Sequence, residues 1–110
     1  TLLFKERGSD ARAHVTTDGI LVLAGSVGRA DSRPSLAAGL VRRRAELIEH
    51  GIAEIRGDDY VFLKDQVFAS PSTAGAVVMG GSINGRIAWK NLAGLTFQQV
   101  EESALALAME

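Results

Sequence analysis

The sequence predicts an α+β domain, a small antiparallel sheet of hairpins with two or three helices packed against it. Three observations lead there. Short strand-like runs flank Asp18-Gly19 and Gly57-Asp58-Asp59, which reads as two hairpins. Between Ser35 and His50 the residues Leu36, Ala37, Leu40, Val41, Leu47 and Ile48 recur at helical spacing. From Thr96 onward a capping box opens a further amphipathic stretch.

At 110 residues, 46% hydrophobic and 23% charged, the chain has the make-up of one globular domain with a modest core, not of a disordered segment. It reads as a single accessory domain over residues 1–110. The net charge of −1 recruits neither nucleic acid nor an anionic membrane, so any such contact has to be a local patch. The absence of cysteine excludes disulfides and thiolate metal sites and fits a cytoplasmic setting. No apolar run is long enough to span a bilayer, so no membrane partner is expected. The first residue is threonine, which suggests a domain taken from a longer protein.

The elements follow in order. Leu2 to Glu6 and Ala11 to Thr16 are short strands separated by Gly8-Ser9-Asp10, and Ile20 to Ala24 completes a hairpin across Asp18-Gly19. Alternation puts Ala11, Ala13 and Val15 on one face and Arg12, His14 and Thr16 on the other, so His14 faces solvent. Gly25 to Pro34 is polar and reads as a loop. Ser35 to His50 is the clearest helix, capped by Ser35 and ended by Gly51. Within it Arg44 projects into the apolar stripe between Leu40 and Leu47. A buried stem paired with a carboxylate, Asp65 or Glu54 first, explains it; a binding arginine at the floor of a groove is the other reading. An Arg44–Asp65 structural ion pair is the expectation.

Ile52–Ile55 and Tyr60–Leu63 form the second hairpin, and residues 64–68 lead to a short helix. Ser70 caps that helix, Pro71 suits its first position, and Gly80 or Gly81 supplies a left-handed end. Asn84-Gly85 then makes a tight turn, and Arg86 to Lys90 runs as a strand through Trp89, the only tryptophan. The last helix covers residues 96–109, with Thr96 and Gln99 as the capping box and an exposed side made acidic by Glu101 and Glu102.

The chemistry is sparse. The sequence has none of the phosphate-loop, dinucleotide, HExxH or GxSxG motifs, so no cofactor is expected. His14 and His50 lie in separate elements without clustered carboxylates, so no metal site is expected. The start of the Ser70 helix has more to offer, because its free N–H groups and the hydroxyls of Ser70, Ser72 and Thr73 suit an anion. Arg86 or Lys90 could add charge there, and an exposed Trp89 ring would be a base-stacking platform. The plainer alternative is that Ser70 satisfies those donors itself and Trp89 belongs to the core. A serine nucleophile at Ser70 or Ser72 ranks last, since the sequence places no base beside it.

Phe68-Ala69-Ser70-Pro71-Ser72, with Asn84-Gly85 and Trp89, resembles an uncharacterised bacterial domain family. That family is often appended C-terminal to GIY-YIG nuclease domains and to restriction-type proteins. The motif is also similar to the restriction enzyme adenine methylase-associated (RAMA) domain. Val22-Leu23-Ala24-Gly25-Ser26 and Arg44-Ala45-Glu46-Leu47-Ile48 agree with it, and the resemblance spans residues 11–95. Gly75 stands where an alanine is usual, a change that should weaken the helix by about 1 kcal/mol. Arg86 stands where an aromatic or small residue is common.

The resemblance implies a non-catalytic accessory module of a restriction or DNA-processing protein, linked to a nuclease or methylase domain. DNA would be its partner, contacted by Ser70, Ser72, Asn84, Arg86 and Trp89. The alternative is a protein-interaction module without nucleic-acid contact, with the C-terminal helix as a route to a homo-oligomer.

Overall fold

A computed structural model describes residues 1–109. The α+β class holds, with the hairpins distributed over two antiparallel sheets. The larger is built from β1 (Leu2–Phe4), β2 (Ala11–Thr16), β3 (Gly19–Val22), β7 (Gln66–Phe68) and β8 (Lys90–Asn91), in the order β7-β3-β2-β1-β8. Strand alternation sorts its side chains. Leu2, Phe4, Ala11, Ala13, Ile20, Val22 and Phe68 point inward and are buried. Val15 shares their side of β2 but lies beyond the core and is 61% exposed, so only two of the three residues expected on that face are covered.

The smaller sheet has the order β4-β6-β5, from β4 (Val27–Arg29), β5 (Ala53–Arg56) and β6 (Asp59–Phe62). β4 falls inside the stretch expected to be a loop. Its glycine is the reason the pattern misleads: a Cβ on Gly28 would overlap the Val78 carbonyl. Only glycine lets strand and helix backbone approach that closely, and glycine weakens the strand signal. The Asp10–Val27 bridge joins the two sheets.

Helix α1 (Ala38–Glu49) begins later than expected and has no side-chain cap. Ser35 Oγ instead accepts from the Ser82 N–H at 3.1 Å, tying the start of α1 to the loop after the next helix. That helix, α2 (Pro71–Met79), is central to the fold. Its residues from Ala74 to Met79 are buried, and it packs against β3 and β7 of one sheet, β4 of the other, and α1. It is apolar all round because it is surrounded on all sides.

Ser70 caps α2 as expected, accepting from the Thr73 N–H at 3.1 Å, and Gly80 ends it with φ 74°. Gly75 answers to packing: a Cβ there would sit 2.8 Å from Phe4 Cε2 and 3.1 Å from Ile83 Cγ2. Helix propensity gives way to close approach of the Phe4 ring.

The strand expected over Arg86–Lys90 is mostly helix. Asn84 Oδ1 accepts from the Arg86 N–H at 3.1 Å and caps a single turn, α3 (Gly85–Ala88), leaving only Lys90 and Asn91 as β8. Asn84-Gly85 is thus a helix start and not a hairpin turn. The final helix, α4 (Phe97–Met109), begins with the anticipated capping box: Gln99 N–H donates to Thr96 Oγ1 at 3.1 Å and Thr96 N–H to Gln99 Oε1 at 2.9 Å. No helix among the described residues is long and apolar enough to cross a membrane.

Candidate nucleic-acid interface

Five residues were expected to form a contact surface, and the structure brings them together for a different purpose. Trp89 is fully buried, its ring centroid 4.9 Å from that of Phe4, and its Nε1–H donates to the Pro71 carbonyl at 2.9 Å. A ring in that position cannot stack on a base. Ser72 Oγ accepts from the Gly85 N–H at 2.9 Å, and a Cβ on Gly85 would overlap the Pro71 carbonyl. Ser70 is used as the cap and Asn84 as the next cap. Arg86 pairs with Glu101 at 2.6 Å and lies 5.8 Å from the Phe97 ring, holding α4 to α3. The Ser70–Trp89 motif therefore staples α3 and β8 onto the first turn of α2.

The Arg44–Asp65 ion pair is not formed. Asp65 Oδ1 accepts from the Ala24 N–H at 2.7 Å. Arg44, buried, donates Nε–H to the Val77 carbonyl at 3.0 Å, and one terminal nitrogen to Ser32 Oγ at 2.9 Å and the Asp31 carbonyl at 3.3 Å. Its other terminal nitrogen reaches the Arg29 carbonyl. The reason is topological: the last turn of α2 presents the Val77 carbonyl without a helical N–H, beside the carbonyls of residues 29–31, and a guanidinium fork answers all of them at once. Burial lowers the Arg44 pKa from the ordinary guanidinium value, opposed by Coulomb attraction to the Tyr60 phenol and the Asp31 carboxylate. The Arg44 guanidinium lies 4.3 Å from the Tyr60 ring, while Tyr60 Oη donates to the Arg44 carbonyl at 2.8 Å.

Arg7 completes this end of α2. It is the one described non-glycine residue with positive φ, 55°, and it donates to the Met79 carbonyl at 2.9 Å and to Asp31 at 2.5 Å. That hydrogen bond, ahead of the Arg7 charge, holds the Asp31 carboxyl below its ordinary pKa.

A further exposed surface lies on the other side of the larger sheet. None of the described helices covers this outward face, and register fixes two rows of side chains. The first runs Lys90, Leu3, Arg12, with Leu23 beside Arg12. The second runs His14, Leu21, Val67. Arg12, His14 and Lys90 are exposed, and the aliphatic side chains between them are half-exposed or exposed. Neither row contains a carboxylate. Asp10 at the margin is held by Lys5 at 2.6 Å, a hydrogen bond that, with the Lys5 charge, lowers its pKa. Asp65, at the opposite margin, is the acceptor already described. Two grooves flank the face. One of about 370 Å³ runs from Asp10 and Arg12 to Val27, and one of about 340 Å³ lies along Leu3, Lys5, Glu6 and Lys90.

Comparison with known families gives one result. The model of a domain of unknown function, DUF4357, matches residues 2–101. The chain belongs to this family. No curated protein and no solved structure matches it. In this DUF4357 domain the matched region takes in both sheets, α1 to α3 and the first turn of α4.

Sequence reasoning had the outward alternation of Arg12 and His14 but not the surface they belong to. Leu3 joins it by pairing with Arg12, and Lys90 only through the pairing of β1 with β8, two strands nearly ninety residues apart in sequence.

Proposed function

We propose that this DUF4357 domain is a non-catalytic accessory domain that binds nucleic acid, and that it does so with the open face of the larger sheet and not with the Ser70–Trp89 motif. The observation that supports this reading is the two-row arrangement: Lys90, Arg12 and His14 alternate with aliphatic side chains on a face that has no acidic residue within its rows. Such a face attracts a polyanion locally even though the chain carries a net charge of −1. The likeness of the motif to domains attached to GIY-YIG nucleases and to the RAMA domain supports a cytoplasmic role beside a nuclease or methylase, within restriction or DNA processing. The domain then contributes recognition, and the attached enzyme contributes the reaction.

A fluorescence titration with labelled oligonucleotides at low and moderate salt tests the reading. Binding that weakens as salt rises, and that is lost in Arg12→Glu/Lys90→Glu, is the expected result. Failure to bind any single-stranded or duplex nucleic acid at low salt overturns it.

One observation favours a second reading, self-association. The end of α4 stands clear of the body, with Leu105 61% and Leu107 71% exposed. Sedimentation over a wide concentration range separates the two: dimerisation abolished by Leu105→Glu/Leu107→Glu supports self-association, and a monomer throughout removes it.

A further inference from the structure

We infer that the preferred ligand of the open sheet face is single-stranded nucleic acid, and that duplex is bound poorly. The inference rests on the reading that this domain binds nucleic acid, and it comes from the shape and chemistry of the face. A duplex is read by an element that enters a groove, most often an exposed basic helix or a two-stranded ribbon. None of the described helices fits that need. α2 is buried, α3 is one turn long, and α4 shows Glu101 and Glu102 to solvent. α1 sets Arg42 and Arg43 against Glu46 and Glu49 along its length.

The sheet face offers the opposite pattern. In the first row Leu3 lies directly between Lys90 and Arg12, and in the second Leu21 pairs directly with His14. Leu3 and Leu21 remain partly exposed on this face, and unstacked bases can bury apolar surface against them. The cations one strand away stand where the sugar–phosphate backbone would pass. In a duplex the base planes are stacked on each other and unavailable, so the leucines gain nothing from it. His14 can add a ring to the same surface, and the carboxylates at its margins, Asp10 and Asp65, are held by Lys5 and by the Ala24 N–H.

The test compares a labelled single strand of about 12 nucleotides with a duplex of the same sequence, at low salt. The single strand is expected to bind about tenfold more tightly, since the apolar area its bases bury against the leucines is available to it alone. Leu21→Ser/Leu3→Ser should weaken single-strand binding about tenfold while leaving the salt dependence unchanged, because it removes base contacts and no charge. Thermal melting of the same variant shows that it is folded; if it is not, Leu21→Ser alone takes its place. Equal or tighter binding of the duplex overturns the single-strand inference and leaves the nucleic-acid reading standing. Unchanged affinity in the folded leucine variants also overturns it. Absence of binding to both probes overturns the two together.

Discussion

Arg44 reaches from α1 across the core to the Val77 carbonyl, 3.0 Å from its Nε, and so closes the end of α2 with a side chain that sequence alone would pair with Asp65. Its guanidinium holds carbonyls from the 29–31 segment at the same time. A lysine has three donors but no planar fork, so Arg44→Lys should cost about 2 kcal/mol, and Arg44→Met about 2–4 kcal/mol through orphaned acceptors. Removing a buried charge recovers part of the desolvation cost, which keeps these figures below a sum over bonds. Urea unfolding measures them. Because Asp65 serves Ala24 instead, a double-mutant cycle of Arg44→Lys with Asp65→Ala should give a coupling energy under about 0.5 kcal/mol. A larger coupling contradicts the geometry.

Tyr60 gives a second handle on the same region. It is buried, and burial pushes its phenol up to about 12 from an ordinary 10, with Arg44 and Arg43 pulling the other way. Between those values the unfolded chain has lost the proton and the folded chain keeps it. The unfolded state then binds fewer protons, so stability falls as pH rises through that window and is intact below it. The loss should be on the order of 2 kcal/mol by the upper end. Tyr60→Phe removes this alkaline loss, and at neutral pH costs about 1 kcal/mol by losing the bond to the Arg44 carbonyl. Guanidinium unfolding at pH 7, 10 and 11 checks both signs.

How much of this was legible in the sequence depends on whether a position answers to local or long-range demands. Alternation in Ala11–Thr16, the Thr96–Gln99 box and the Ser70-Pro71 helix start are local, and each was readable. β4 was not, because Gly28 is dictated by the Val78 carbonyl and not by its own strand. Arg86–Lys90 reads as a strand only while Asn84 is assigned to a turn; its side-chain bond to the Arg86 N–H makes it a cap. The expected site failed for the same reason. Hydroxyl, amide and indole groups at those positions look available in sequence, and only the fold shows that Thr73, Gly85, Arg86 and Pro71 already occupy them.

Gly75 separates helix propensity from packing. Alanine is the better helix former by about 1 kcal/mol, so propensity alone predicts that Gly75→Ala stabilises. The nearest atom to the new methyl is Phe4 Cε2, at 2.8 Å, on a ring that is itself fully buried against Trp89. Overpacking should win, with a net loss of about 1–3 kcal/mol. Phe4→Leu in the same chain should recover part of it, since the pair then regains room. Thermal melts of the two single variants and the double variant decide the matter, and a stabilised Gly75→Ala would refute the packing account.

The motif from Ser70 to Trp89 yields the prediction that best separates architecture from recognition. Ser72→Ala removes the acceptor for the Gly85 N–H, in a turn where backbone approaches backbone too closely for any side chain, and should cost about 1–2 kcal/mol. Trp89→Phe loses the bond to Pro71 and leaves unfilled volume beside Phe4, and should cost about 2–4 kcal/mol. Both side chains lie away from the open face, and because Trp89 directly precedes Lys90 in β8, Ser72→Ala is the cleaner of the two changes. Oligonucleotide affinity per folded molecule should therefore stay within about twofold of the parent while the melting temperature falls. Arg12→Glu should show the reverse, an unchanged melt with weakened binding, since Arg12 is exposed on the open face. If Ser72→Ala abolished binding in a chain that still melts cooperatively, the contact surface would lie at the motif and not on the sheet.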